Sequence, residues 1–272
     1  MSSWMFSDPD SKKNLLGLIR REAEGMFALV DNDEQWMKST ACEFWNAADV
    51  IGHLVDTTET YFIGFDAARG KGTPPSSVAL TSMAGTADVG ARQFRQNSRT
   101  EMIDRCRADM EKMIGIFEGL SDAEWTGLTV QHKYMGPLPA CFYAVGQLVD
   151  YAVHSWDIRE GQGMPHVLAA DSADMLVPLA LVVWQSTPKV PADTEPFQVG
   201  IRITSGENAG DSMVSVSPDG IAVEPADVSG APAVIEFDPA TFVLTAFGRI
   251  NAGTARGDVA IATRFLGSFF RI

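Results

Sequence analysis

Residues able to act as soft ligands or bases are scarce in this chain: 3 cysteines and 4 histidines among 272 residues. The cysteines (Cys42, Cys106, Cys141) are odd in number and unclustered. They offer no disulfide framework and fit a reducing, cytoplasmic setting. Positive charge is also short, with 21 Lys and Arg against 35 Asp and Glu and a net charge of −14. So few cations argue against nucleic acid as a partner and against an anionic membrane surface. Long apolar runs are missing as well. The longest, Met175 to Trp184, is about half of the roughly 20 residues that a membrane span needs. The N-terminal residues lack the basic-then-apolar pattern of a secretory signal, so none is expected. What is present is globular: 46% hydrophobic and 21% charged residues, in a chain long enough for about two domains.

The scarce residues are unevenly placed. Every His, Cys, Lys, Trp and Tyr lies at or before Lys189. Nucleophiles, bases and soft metal ligands are therefore expected in the first part of the chain. A boundary is marked by the segment from Ser186 to Pro196, where Pro188, Pro191 and Pro196 break any helix. The expected domains are residues 1–188 and 196–272.

Up to that boundary the apolar period is helical. A first helix is expected after Ser7-Asp8-Pro9, running to about Val30. A second follows Trp45-Asn46 and ends near Gly70. A third spans Thr86 to Gly119 with an interruption near Ser98. A fourth follows Gly136-Pro137 and stops at Gly161-Gln162-Gly163. A fifth covers Leu168 to Gln185 across Pro178. These make a helical bundle. Beyond the boundary the period is two: Phe197, Val199, Ile201 and Ile203 alternate with polar residues or glycine. A hairpin turns at Ser217-Pro218-Asp219-Gly220, a strand follows at Ala233 to Phe237, and two short helices start at Asp238-Pro239 and Gly257-Asp258. The fold class is thus α plus α+β: a bundle, then a small mixed domain.

The fourth helix carries one polar stripe. Tyr143, Gln147, Asp150, His154 and Asp157 recur at steps of four, three, four and three. Asp150 and His154 are one turn apart and can reach one point. That geometry serves helix-borne metal sites, although a bundle helix with a solvated face carries the same pattern. On the second helix His53 is flanked by Asp49 and Asp56 at the margin of the apolar stripe. Together His53, Asp150 and His154 offer two imidazoles and a carboxylate, a set suited to Zn²⁺ and less often to Fe²⁺ or Ni²⁺. Three protein ligands leave positions open, as catalytic zinc does.

Two runs carry a resemblance. Trp45-Asn-Ala-Ala-Asp49-Val-Ile-Gly-His53-Leu-Val-Asp56 and Asp150-Tyr-Ala-Val-His154-Ser-Trp-Asp157 resemble the metal motifs of the mycothiol-dependent maleylpyruvate isomerase family, within the DinB-like four-helix bundles. The segments Phe237-Asp-Pro-Ala-Thr-Phe242, Gly248-Arg249 and Gly257 to Ala262 resemble the sterol-carrier-like domain that often follows this bundle. One departure is visible: the family pattern usually has Glu where this chain has Asp150.

The resemblance implies a divalent metal, Zn²⁺ foremost, and a low-molecular-weight thiol such as mycothiol. The metal would lower the pKa of the thiol for attack on an electrophilic small molecule such as a maleylpyruvate-like acid. Isomerisation or S-transfer is the implied reaction. An anionic substrate calls for a cation, so Arg92, Arg95 and Arg99, placed on one face of the third helix, and Arg249 become candidates. Arg92, Arg249 and Tyr143 form the expected catalytic set, with Gln147 beside Tyr143 as a substrate contact. Asp49 and Asp157 are expected to orient the ligand histidines. His132 and His166 are expected in solvent-exposed loops, the three cysteines in core or surface roles, and Met102, Met110 and Met113 in the core. The alternative is a non-catalytic metal- or lipid-binding protein, with Phe242, Val243, Phe247, Phe265 and Phe269 lining an apolar pocket.

Overall fold

The computed structural model describes residues 4–164 and 166–270. The first three residues, on which the N-terminal reading partly rests, lie outside them. Packing divides the chain into two compact units, residues 1–168 and 169–272. This division falls one helix before the proline-rich segment at which the sequence suggests a boundary.

The first unit is built on four long helices: α1 (Lys12–Leu29), α3 (Ala47–Ala68), α5 (Arg99–Glu118) and α7 (Ala140–Gly161). Shorter helices α2 (Asp33–Trp36), α4 (Met83–Arg92) and α6 (Asp122–Gly127) join them. Helix starts follow local chemistry. Asn46 accepts the Asp49 N–H while the Asp49 carboxylate accepts the Asn46 N–H, a reciprocal cap that fixes the first turn of α3. Ser98 caps α5 in the same sense by accepting from the Glu101 N–H. The expected third helix is therefore two: α4 stops at Arg92 and α5 begins at Arg99. A two-stranded hairpin, β1 (Thr129–His132) and β2 (Gly136–Pro139), precedes α7. Alternation over only four residues per strand gave no readable sequence signal.

α7 is buried nearly all round, so it is the central helix of the bundle. Its polar stripe is not a solvated face: Tyr143, Gln147, His154 and Asp157 are buried.

The second unit contains α8 (Ala170–Ser186), which continues through Pro178, and a five-stranded sheet of order β5-β4-β3-β6-β7. The strands are β3 (Phe197–Ile203), β4 (Gly210–Ser217), β5 (Gly220–Pro225), β6 (Ala233–Phe237) and β7 (Thr254–Gly257). β3 pairs parallel with β6, and the other pairs are antiparallel. Helices α9 (Pro239–Ala246) and α10 (Val259–Leu266) complete the unit. Its core closes on the α8 residue Trp184, ringed by Phe242, Phe265 and Phe269 at centroid distances of 4.8, 4.9 and 5.2 Å. Phe242, Phe265 and Phe269, considered as pocket lining, thus meet an indole packed between them.

Candidate metal centre

α3 and α7 bring His53, Asp150 and His154 together. One ligand atom from each lies within 4.8 Å of the others, and His53 Nε2 stands 4.0 Å from Asp150 Oδ1. The two imidazoles meet edge to face with centroids 5.1 Å apart. Each ring is held on its Nδ1 side. The Thr57 hydroxyl lies 3.4 Å from His53 Nδ1, and the Asp157 carboxylate lies 2.8 Å from His154 Nδ1. A ring anchored at Nδ1 presents Nε2 as its ligand atom, the arrangement that outer carboxylates impose on metal-binding histidines. Tetrahedral zinc, with bonds of about 2.0–2.1 Å, separates its N and O ligands by about 3.3 Å. His53 and Asp150 reach that spacing by closing less than 1 Å, and no pair of the group, all within 4.8 Å, needs more than about 1.5 Å; the donor types and this spacing are compatible with a divalent ion. Asp150, one methylene shorter than Glu, still reaches the group.

Burial would lower the pKa of His154, but its bonds to Asp157 and Cys42 prevail and raise it to about 10.

A loop covers the centre. Ser39 and Asn46 form a bridge across it. The Ala41 N–H donates to the Asp157 carbonyl at 2.8 Å. Gly161 packs so closely on Thr40 that a Cβ at this position would collide with the Thr40 backbone. The loop carries Phe44 at φ 69°, a left-handed conformation that costs an aromatic residue energy and that clusters at functional sites. It also carries Trp45, whose ring lies 5.2 Å from His53 and 6.2 Å from His154. Trp45 Nε1 donates to Asp88 at 2.9 Å, and Arg92 Nε donates to the same oxygen at 2.6 Å. Arg92 Nη2 also donates to the Phe44 carbonyl at 3.3 Å.

Arg92 is thus tied to the site through the loop. Arg95 and Arg99 are not. Arg95 lies between α4 and α5 and grips Asp49 with two bonds of 2.7 Å. Arg99 opens α5 and pairs with Asp33. The three arginines do not share one helical face, because the helix breaks between them. Asp49, committed to Arg95 and to its capping role, does not orient His53 in the way Asp157 orients His154. Arg249 belongs to the second unit, where Nη1 donates to the Phe247 carbonyl.

Tyr143 is buried, and its hydroxyl donates to the Val130 carbonyl of β1 at 3.1 Å. It stands about two helical turns from Asp150. Gln147 is also buried and donates to Thr58 at 3.0 Å, while its Oε1 has no hydrogen-bond partner. His132 departs from expectation. It lies in β1 among Tyr61, Tyr134 and Tyr143, and Nδ1 accepts the N–H groups of Tyr134 and Met135. Burial lowers its pKa to about 4. His166 lies in a loop, with Nε2 3.1 Å from Glu160. Cys106, Cys141 and the three methionines are core.

Cys42 was missed. Its Sγ donates to Asp157 Oδ2 at 3.1 Å and lies 3.7 Å from His154 Nδ1. Nothing at i±3 or i±4 announces this, because the contact spans 112 residues. A cleft of about 720 Å³ runs beside α3, one turn beyond His53, lined by Asp56, Thr86, Gln93 and Lys133 among others. No helix among the described residues is long and apolar enough to cross a membrane.

The sequence model of the mycothiol maleylpyruvate isomerase N-terminal domain matches residues 16–159. A search of curated proteins returns no match. Among solved structures, mycothiol-dependent maleylpyruvate isomerase aligns with 94% of this chain and 95% of its own, at 14% identity and TM-score 0.60. A histidine-to-alanine mutant of that enzyme aligns over the same shares at TM-score 0.62 and 14% identity. A colibactin self-resistance protein, solved with double-stranded DNA, covers 57% of this chain and 97% of its own at 14% identity and TM-score 0.47.

Proposed function

The chain belongs to the mycothiol maleylpyruvate isomerase family, and from that premise we propose a metal-assisted, thiol-dependent isomerase or S-transferase acting on a small electrophile such as a maleylpyruvate-like acid. The observation that carries the reading is the convergence of His53, Asp150 and His154 beneath an aromatic cover. His53 and His154 would bind Zn²⁺ or a related ion through Nε2, and Asp150 through its carboxylate. A bound divalent ion would supply Lewis acidity that keeps a cofactor sulfur as thiolate at neutral pH.

The chain's own residues do the rest. Thr57 and Asp157 hold the two rings in their ligating orientation. Trp45 shields the site from water, and the Arg92–Asp88 pair fixes the indole in place. Arg92 also bonds this cover at the Phe44 carbonyl and would draw a substrate carboxylate, at the cost of loosening its bond to Asp88. The cleft beyond His53, which carries hydroxyls and the Asp56–Lys133 ion pair, is where we put the polar body of the thiol. Sterol-carrier likeness of the second unit remains a resemblance, with no role assigned in turnover.

The test is His53→Ala in the full chain, with metal content and thiol-dependent turnover measured on protein of unchanged circular dichroism. Expected is loss of the ion from this centre and a fall in turnover of at least about 100-fold, with Asp157→Asn weakening metal affinity by about 10–100-fold. Turnover with mycothiol and maleylpyruvate that survives His53→Ala would overturn the reading.

A further inference from the structure

The His154 ring has a second group on its other side. Cys42 Sγ, His154 Nδ1 and Asp157 Oδ2 lie 3.7, 3.1 and 2.8 Å apart in their three pairings. For zinc–sulfur bonds of about 2.3 Å and zinc–nitrogen or –oxygen bonds of about 2.0–2.1 Å, tetrahedral ligand atoms stand about 3.3–3.6 Å apart. The measured spacings straddle that range, and the set is tighter than His53 and Asp150, which are 4.0 Å apart. His154 and Asp157 are buried, and Cys42 is half-buried at the edge. The thiol is held firmly. The Ala41 N–H bonds the Asp157 carbonyl, the Cys42 N–H bonds the Thr40 hydroxyl at 3.2 Å, and Thr40 lies flush on Gly161.

We infer that Cys42, His154 and Asp157 form a second cation site, one that binds a divalent ion of borderline softness such as Zn²⁺ or Co²⁺ through a thiolate, an imidazole nitrogen and a carboxylate. Two donors, the Cys42 S–H and the proton on His154 Nδ1, point at one carboxylate oxygen. A dication takes the place of protons there: the Cys42 S–H and His154 Nδ1–H bonds break, both protons leave to solvent, and the sulfur, Nδ1 and an Asp157 oxygen bind the ion. With the first centre empty, His154 keeps its proton on Nε2 and ligates through Nδ1 as a neutral ring. With that centre filled, the ring gives up its last proton and bridges the two ions as imidazolate. The doubly loaded state then sets four positive charges against four negative ones: Cys42, Asp157, Asp150 and the bridging ring. Only the bridging rests on the metal reading proposed above. The Cys42 site stands on its own three atoms.

Cobalt titration of the full, reduced, metal-stripped chain tests this, followed by absorbance and by bound metal per chain. Expected are two Co²⁺ per chain and a near-ultraviolet sulfur-to-cobalt band. Cys42→Ser binds one ion and loses the band, while His53→Ala binds one ion and keeps it. One ion without a sulfur band, or a band unchanged in Cys42→Ser, overturns the second site and leaves the first intact. One ion whose band survives His53→Ala upholds the second site and overturns the first. No bound ion overturns both.

Discussion

His132 shows how far burial can move one residue from its usual chemistry. Nδ1 accepts two backbone N–H groups, three tyrosines surround the ring, and burial lowers its pKa to about 4. In the unfolded chain the ring takes a proton near pH 6.5, whereas in the folded chain it resists until about 4. Stability from this residue is therefore complete above about pH 6.5 and is lost as pH falls through that window, by at most about 3 kcal/mol. His132→Asn keeps an acceptor near Nδ1 but cannot be protonated. Urea unfolding at pH 7 and pH 4.5 is expected to show a smaller loss of stability in the variant than in the parent; equal losses would contradict the assignment. The residue was unreadable in sequence because its environment is made by β1, α3 and α7 together. His53, Asp150 and His154 were legible for the opposite reason. Two of them share a helix turn, and the third sits in a run with its own helix signal. Cys42 has neither advantage, and only the fold of its loop onto α7 brings it to Asp157.

At the scale of elements, close approach of α3 and α4 governs how the aromatic cover is held. α4 carries Asp88 and Arg92, so its distance from α3 fixes where Trp45 is gripped. Gly52 permits that distance, since a Cβ there would run into the Ala91 carbonyl and crowd the Phe94 ring. Gly17 in α1 has open space around it. Replacing a mid-helix glycine with alanine ordinarily stabilises by about 0.5–1 kcal/mol, and Gly17→Ala is expected to do so. At Gly52 overpacking costs about 1–3 kcal/mol and reverses the sign. Thermal unfolding of the two variants should shift in opposite directions, and a stabilised Gly52→Ala would refute the close contact. The long helices and the strands with clear alternation were legible from period and caps. The α4–α5 break was half legible, because Ser98 marks a start, whereas the stop at Arg92 has no glycine or proline to announce it. The β1–β2 hairpin and β7 escaped because four residues are too few to establish a period.

For the whole molecule the informative question is where the chain can be cut. Prolines placed the boundary at residues 188–196, whereas packing places it at 168/169. A proline-rich stretch shows where regular structure stops, not which core the preceding helix serves. α8 serves the second unit: Trp184 is its central aromatic, packed on Phe237, Phe242, Phe265 and Phe269. Met175, Leu176, Ala180 and Val183 on the same helix are buried too. A fragment ending at residue 188 would carry α8 without α9, α10 and the sheet, leaving large apolar side chains exposed and prone to association. A fragment ending at residue 168 leaves α8 out, yet keeps Cys42, His53, Asp150, His154 and Asp157. The shorter fragment is expected to be monomeric, cooperatively folded and able to bind cobalt as the full chain does, while the longer one aggregates. Size-exclusion chromatography with metal titration of both fragments decides it. A longer fragment that is the better behaved of the two would return the boundary to the prolines.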